Sequence, residues 1–114
     1  MTQGEVLETL IGECESDHVG LWEIVDAVRN DLGVTDPSQV RKYTLGLIRQ
    51  LFAKGVQVGH PARDGRQFIP WKLSPEQATA RIEKEWSATG LEPGVGEVAW
   101  FTCAEQHFEG HVAK

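Results

Sequence analysis

The fold is decided by residues 36–71, which read DPSQVRKYTLGLIRQLFAKGVQVGHPARDGRQFIPW. Asp36 and Pro37 are typical of a helix start, because Asp accepts hydrogen bonds from free backbone N–H groups and Pro suits the first helical position. The residues that then recur at the spacing of one helical face are Val40, Thr44, Leu47, Ile48, Leu51 and Phe52. Lys54 and Gly55 are typical of a helix end. This stretch therefore predicts one long helix with one buried face.

A two-stranded hairpin is predicted directly after this central helix. Residues 56–58 (VQV) and 67–69 (QFI) are short strand-forming segments, and the Asp64-Gly65 pair between them is a strong turn signal. Arg63 and Arg66 flank that turn, so the hairpin has a basic tip.

Weaker patterns predict the elements around this core. They are a helix over 2–15, a short strand over 19–21, a helix ending near 31, a helix over 75–88 and a strand over 98–102. Ser74 and Gln77 have the spacing of a capping box at the start of the fourth helix. The predicted fold class is α+β, in the order helix, short strand, helix, helix, strand, strand, helix, strand.

A long helix followed by a basic-tipped hairpin, with two helices ahead of it, resembles a winged-helix domain. The resemblance is topological and covers about residues 3–71. With the appended fourth helix and the C-terminal strand, residues 1–102 are expected to form one winged-helix-like domain. Gly110 interrupts any helix over the last residues, so 103–114 are expected to form a flexible tail. In a DNA-binding winged helix the long helix enters the major groove and the hairpin is the wing. Other winged helices bind proteins.

The 114-residue chain has a net charge of −6, and its charges are strongly segregated along the sequence. Residues 1–40 carry nine acids and one base, residues 41–72 seven bases and one acid, and residues 73–114 seven acids and three bases. The overall acidity disfavours non-specific binding to nucleic acid. The basic block predicts an interaction surface. The alternative is that acidic helices complement a basic helix within one fold.

The face of the central helix opposite its apolar stripe is the predicted contact surface. Gly46 costs about 1 kcal/mol relative to Ala in mid-helix, and its lack of bulk would let another surface approach closely. Leu45 favours a protein contact, whereas Arg41, Lys42 and Arg49 favour a phosphate contact. Tight packing inside the domain is the alternative. The candidate partner-binding or DNA-binding residues are Ser38, Arg41, Lys42, Leu45, Gly46, Arg49, Arg63 and Arg66.

The sequence contains no nucleophile elbow, phosphate loop, dinucleotide fingerprint or paired metal motif, so we expect a non-enzymatic protein without a cofactor. Cys103, His107 and His111 would share one face of a continuous helix, as metal ligands can. Gly110 interrupts that pattern and no fourth ligand is nearby, so no metal site is expected.

A small acidic chain without catalytic motifs favours an inhibitor of a basic protein, such as a bacterial immunity protein or antitoxin directed against a toxic nuclease. Exposed carboxylates would steer a basic toxin and compete with its nucleic-acid substrate. The candidate acidic residues are Glu5, Glu8, Glu15, Glu76 and Glu83. The alternative is a winged-helix DNA-binding transcriptional regulator that uses the central helix and the hairpin wing.

Cys14 and Cys103 are far apart in the sequence, and we expect them to be the reduced thiols of a cytoplasmic protein. Cys14 falls on the apolar face of the first helix and is predicted to be buried. No apolar run approaches the roughly 20 residues that span a bilayer, and the polar N-terminus predicts no signal peptide and no membrane partner. Strand 98–102 either adds a third strand to the hairpin or remains an exposed edge, which would allow homodimerisation.

Overall fold

The structure is a computed structural model that describes residues 2–61, 68–89 and 98–103. Its elements are α1 (Gln3–Ser16), β1 (Val19–Gly20), α2 (Leu21–Asn30), α3 (Pro37–Ala53), β2 (Val56–Pro61), β3 (Phe68–Pro70), α4 (Pro75–Thr89) and β4 (Trp100–Cys103). This order confirms the predicted α+β arrangement. The Asp64-Gly65 turn and residues 104–114 of the predicted tail lie outside the described residues. Cys103, predicted as the first residue of that tail, is instead the buried last residue of β4.

Local signals place the helix ends where the sequence predicts them. The carboxylate of Asp36 accepts the backbone N–H of Gln39 at 3.1 Å at the start of α3. Gly55 follows α3 with a φ of 91°, the left-handed conformation that a residue without a Cβ adopts most easily. At the start of α4 the predicted capping box is present, because Ser74 N–H donates to Gln77 Oε1 at 3.0 Å and Gln77 N–H donates to Ser74 Oγ at 3.2 Å.

The four strands form one antiparallel sheet in the order β1-β4-β2-β3. Phe101 of β4 lies between Val19 of β1 and Val58 of β2 and is fully buried. β4 therefore adds a third strand to the hairpin, which confirms one of the two alternatives predicted for this segment. The other alternative, an exposed edge that would allow homodimerisation, is wrong because β4 is paired on both sides. Val98 has a φ of 72°, which is not an extended conformation, so β4 begins at Trp100.

The core lies between the helices and the sheet. α1 packs against β1, β4 and α3, α2 packs against α3, and α4 packs against α3. Cys14 is fully buried on the inner face of α1, as predicted. The inner face of α4 consists of Ala78, Ile82 and Trp86, all of which are buried. The long central helix is thus covered by α1, α2 and α4.

Candidate functional site

The structure divides the predicted contact face of α3 into two parts. Ser38, Lys42 and Arg49 are exposed, and Gly46 is half-exposed. Leu45 is only 6% exposed and belongs to the hydrophobic core. The expectation that Leu45 is available for a protein contact is therefore wrong, because the helix buries a wider arc than its apolar stripe alone indicates.

Arg41 faces α4. Its guanidinium donates to the backbone carbonyl of Glu83 at 2.9 Å and to the hydroxyl of Ser87. The same group lies 5.7 Å from the centroid of the Trp86 ring. These contacts hold α4 against α3, so Arg41 serves the fold and does not point outward as a phosphate ligand would.

The exposed part of α3 carries several polar side chains that sequence reasoning missed. Gln39 lies three residues before Lys42, and Tyr43 and Gln50 lie three residues before and four residues after Gly46. They therefore share one side of the helix with Lys42 and Gly46. Tyr43 is 40% exposed. A Cβ built on Gly46 would meet nothing within 4 Å. The helix contains no acidic residue, so this surface is positive and open near its centre.

Four side chains considered as binding or ligand groups lie outside the described residues. Arg63 and Arg66, predicted at the hairpin tip, lie outside the described residues, as do His107 and His111. Within residues 2–61, 68–89 and 98–103, no group of three or more His, Cys, Asp or Glu side chains is arranged to hold a metal ion.

The five predicted acidic residues are exposed and lie on two helices. Glu5, Glu8 and Glu15 lie on α1, and Glu76 and Glu83 lie on α4. Glu5 also caps its helix, because its carboxylate accepts the backbone N–H of Thr2 at 2.8 Å. The hydrogen bonds from Thr2 lower the pKa of Glu5.

A groove between α1 and α2 gathers a different set of carboxylates. It has a volume of about 330 Å³, and its acidic lining residues are Glu13, Glu23, Asp26 and Asp31. Its apolar lining residues are Val6, Leu10, Trp22, Val25 and Ala27. Trp22 is held by an edge-to-face contact with Trp100, with the ring centroids 4.8 Å apart. Three acids on two helices, together with Asp31 directly after α2, thus meet around an apolar, aromatic wall.

The groove has an excess of negative charge. Burial raises the pKa of Glu13, and the neighbouring Glu23 and Asp31 raise it further. Glu23 accepts the backbone N–H of Gly20 at 2.8 Å, and Asp26 accepts the side-chain amide of Asn30 at 2.6 Å. Arg29 is the single basic residue in the lining, and its guanidinium donates to the Thr35 carbonyl at 3.3 Å. Repulsion among the carboxylates therefore favours an added cation.

Sequence reasoning missed this groove because its acids are distributed over two helices and the turn that follows α2. Their only sequence signal is the high acidity of residues 1–40.

Compared with protein-family models, curated proteins and solved structures, the chain gave no significant match. Among the described helices, none combines the length and the apolar character needed to cross a membrane.

Proposed function

We propose that this chain is a non-enzymatic binding module that sequesters a basic protein through the acidic surface of α1 and α2, in the manner of an immunity protein or antitoxin. The observation that supports it is the groove in which Glu13, Glu23, Asp26 and Asp31 surround an apolar wall. Residues 1–40 carry nine acids and one base, so the field around this groove is strongly negative.

The groove has the chemistry that a lysine or arginine side chain requires. Such side chains bury their methylene groups against apolar surface and keep the charged head in polar surroundings. The partly exposed Trp22 and Ala27 supply that surface, and the Trp22 ring suits a cation–π contact. The carboxylates would then pair with the charged head. A partner that presents basic side chains to nucleic acid would be blocked by this surface through competition for the same groups.

Two variants with the same change in net charge test the proposal. Glu13→Gln/Asp26→Asn removes two charges from the groove, and Glu76→Gln/Glu83→Gln removes two exposed charges from α4. Each tagged protein would be used to capture partners from the native host at several salt concentrations, with quantitative mass spectrometry. We expect one strongly basic protein to be captured by the wild type and the α4 variant, and much less by the groove variant.

The captured protein would then be purified and its association rate measured against salt. We expect the rate to fall with increasing salt for the wild type and to be lower, with a weaker salt dependence, for the groove variant. Equal capture of the basic protein by the wild type and both variants would show that the groove carboxylates do not bind it. Absence of any basic partner would contradict the proposed function itself.

The exposed part of α3 favours a second candidate, a DNA-binding regulator that resembles a winged helix. Lys42 and Arg49 would contact phosphates, and Gln39 and Gln50 have the amide groups that recognise adenine edges in the major groove. Gly46 leaves room for a close approach. Neither side chain predicted at the wing, Arg63 or Arg66, lies in the part of the chain that the structure describes.

Fluorescence anisotropy with labelled random duplex DNA tests this second candidate. Lys42→Glu and Arg49→Glu should each weaken binding across sequences and reduce the salt slope by about one. Lys84→Glu is the matched control, because Lys84 is exposed on α4 and undergoes the same charge change. Absence of wild-type binding at low salt would contradict DNA binding and leave the acidic surface as the functional one.

A further inference from the structure

His60 of β2 connects two segments that are distant in the chain. Its Nδ1 accepts the indole N–H of Trp71 at 2.9 Å, and its Nε2 lies 3.1 Å from the backbone carbonyl oxygen of Val98. The backbone N–H of Trp71 donates to the Val58 carbonyl at 2.9 Å, which holds the start of the connection to α4 on the sheet. The imidazole is half-buried at this junction.

The partners of the imidazole assign its protonation state. An indole nitrogen is only a donor, so Nδ1 of His60 must carry a lone pair. A carbonyl oxygen is only an acceptor, so Nε2 must carry the proton and donate to Val98. The neutral Nε2–H tautomer is therefore the single form that satisfies both contacts. An imidazolium has donors on both nitrogens and would direct one of them at the indole N–H.

Two charged groups of α4, Arg81 and Glu85, lie near this junction. The guanidinium of Arg81 lies 3.8 Å from the centroid of the Trp71 ring and is paired with Glu85 at 2.7 Å. Within residues 2–61, 68–89 and 98–103, no carboxylate is recorded in contact with the His60 imidazole. The apolar residue opposite His60 is Ile69 on the neighbouring strand β3.

The other described histidine, His18, contacts the ring of Phe68, with the ring centroids 5.1 Å apart. Phe68 lies opposite Pro61, one residue along β2 from His60. Because successive strand residues point to opposite faces, His18 lies on the other side of the sheet. It is therefore an internal control for any effect of acid on His60.

We infer that His60 is a proton-sensitive latch for the connection between β3 and α4. A proton taken from solvent onto Nδ1 replaces the acceptor with a donor and releases the Trp71 indole. The Nε2–H bond to Val98 survives, because Nε2 is a donor in both states. Release of Trp71 also withdraws the ring on which Arg81 is stacked, so acid loosens the contact between α4 and the connection that precedes it. This inference does not depend on the proposed function.

The test follows the tryptophan indole signals of the ¹⁵N-labelled full chain by NMR between about pH 8 and pH 5, the range in which histidines change charge. Trp71→Phe assigns the Trp71 signal. We expect the signal to shift with the same midpoint as the His60 ring protons. The hydrogen-exchange rate of the Trp71 indole N–H, divided by that of the Trp22 indole N–H, should rise about fivefold from high to low pH. A change of this size is expected for the loss of one net hydrogen bond.

Two variants separate the latch from other effects of acid. His60→Gln keeps an uncharged donor and an uncharged acceptor, so it should make the Trp71 signal insensitive to pH. His18→Gln should leave the pH response unchanged. A pH response that survives in His60→Gln, or a Trp71 signal that stays constant while His60 titrates, would overturn the inference. Ring ¹⁵N shifts of the wild type that place the proton on Nδ1 at high pH would also overturn it.

Discussion

The guanidinium of Arg41 on α3 donates to the backbone carbonyl of Glu83 on α4 at 2.9 Å. The sequence places Arg41 on a presumed outer face, with Glu83 among the acids that would meet a partner. In the fold the two residues join neighbouring helices, and the bond uses the carbonyl of Glu83 while its side chain stays exposed. The contact joins the basic helix to an acidic one, but its acceptors are a main-chain carbonyl and the hydroxyl of Ser87. It is therefore not the pairing of basic and acidic side chains that the complementarity interpretation predicts.

Arg41→Ala should lower the free energy of unfolding by about 1–2 kcal/mol, since it removes hydrogen bonds to Glu83 and Ser87 and a contact with the Trp86 ring. Lys42→Ala, which removes the same charge from an exposed neighbour, should change it by less than about 0.5 kcal/mol. Urea unfolding followed by tryptophan fluorescence measures both. Equal losses in the two variants would contradict the assigned role of Arg41.

Two glycine-to-alanine changes should have opposite signs. Gly46→Ala should stabilise the chain by about 0.5–1 kcal/mol, because the added methyl meets nothing within 4 Å and Gly is a poor helix former. Gly59→Ala should destabilise it by about 1–3 kcal/mol. Its methyl would overlap the Ile69 carbonyl oxygen and lie 2.7 Å from the Pro70 Cα, so the β2–β3 pair would have to separate. Thermal unfolding of both variants checks the signs.

Glu13→Gln should raise the stability of the chain at neutral pH by less than about 0.5 kcal/mol. Burial and the nearby carboxylates raise the pKa of Glu13 above 4.5, the usual value for a glutamate side chain. Between those two pKa values the folded state binds more protons than the unfolded state, so stability falls as the pH rises through this window. Glu13→Gln has no carboxylate at this position, so its stability does not fall in this pH range. The variant should therefore be more stable than the wild type at pH values above both pKa values and equally stable below them.

Urea titrations at a series of pH values measure this difference. Glu8→Gln is the control, because Glu8 lies on the same helix but does not line the groove. A constant difference between wild type and Glu13→Gln across the whole pH range would show that the effect is not electrostatic.

The Cys14 thiol should be chemically silent in the folded protein. Burial raises its pKa to about 12, and the nearby Cys103 adds to the effect, so the reactive thiolate is scarce at neutral pH. In a Cys103→Ala variant, labelling of Cys14 with a disulfide reagent should be at least about a hundredfold slower in buffer than in urea, because it requires opening of the fold. Rapid labelling in buffer would contradict the burial of this residue.

Much of the fold was predictable because its signals are local. Asp36, Gly55 and the Ser74–Gln77 capping box act within one turn of the chain, so they mark helix ends wherever the helices lie. The position of β4 was not predictable in this way. Its place between β1 and β2 depends on pairing with Val19 and Val58, which are distant in sequence.

The candidate site was less predictable than the fold. The sequence identified a basic helix. Arg41 and Leu45, predicted to be on its contact surface, instead make packing contacts. The exposed surface includes three residues that were not predicted, which are Gln39, Tyr43 and Gln50. Helical periodicity reports that one face is buried and does not report how wide that face is. The width of the buried face of α3 depends on α4, which packs against it. α4 begins more than twenty residues after α3 ends, so helical periodicity within α3 does not reveal this contact.

The sequence by itself determined the order of the elements, the ends of the helices and the separation of charge into acidic and basic segments, because each depends on neighbouring residues. Only the tertiary structure decided which of those charges are used in packing, which remain exposed and which meet in the groove between α1 and α2. Those outcomes depend on contacts between segments that the chain brings together only when it folds.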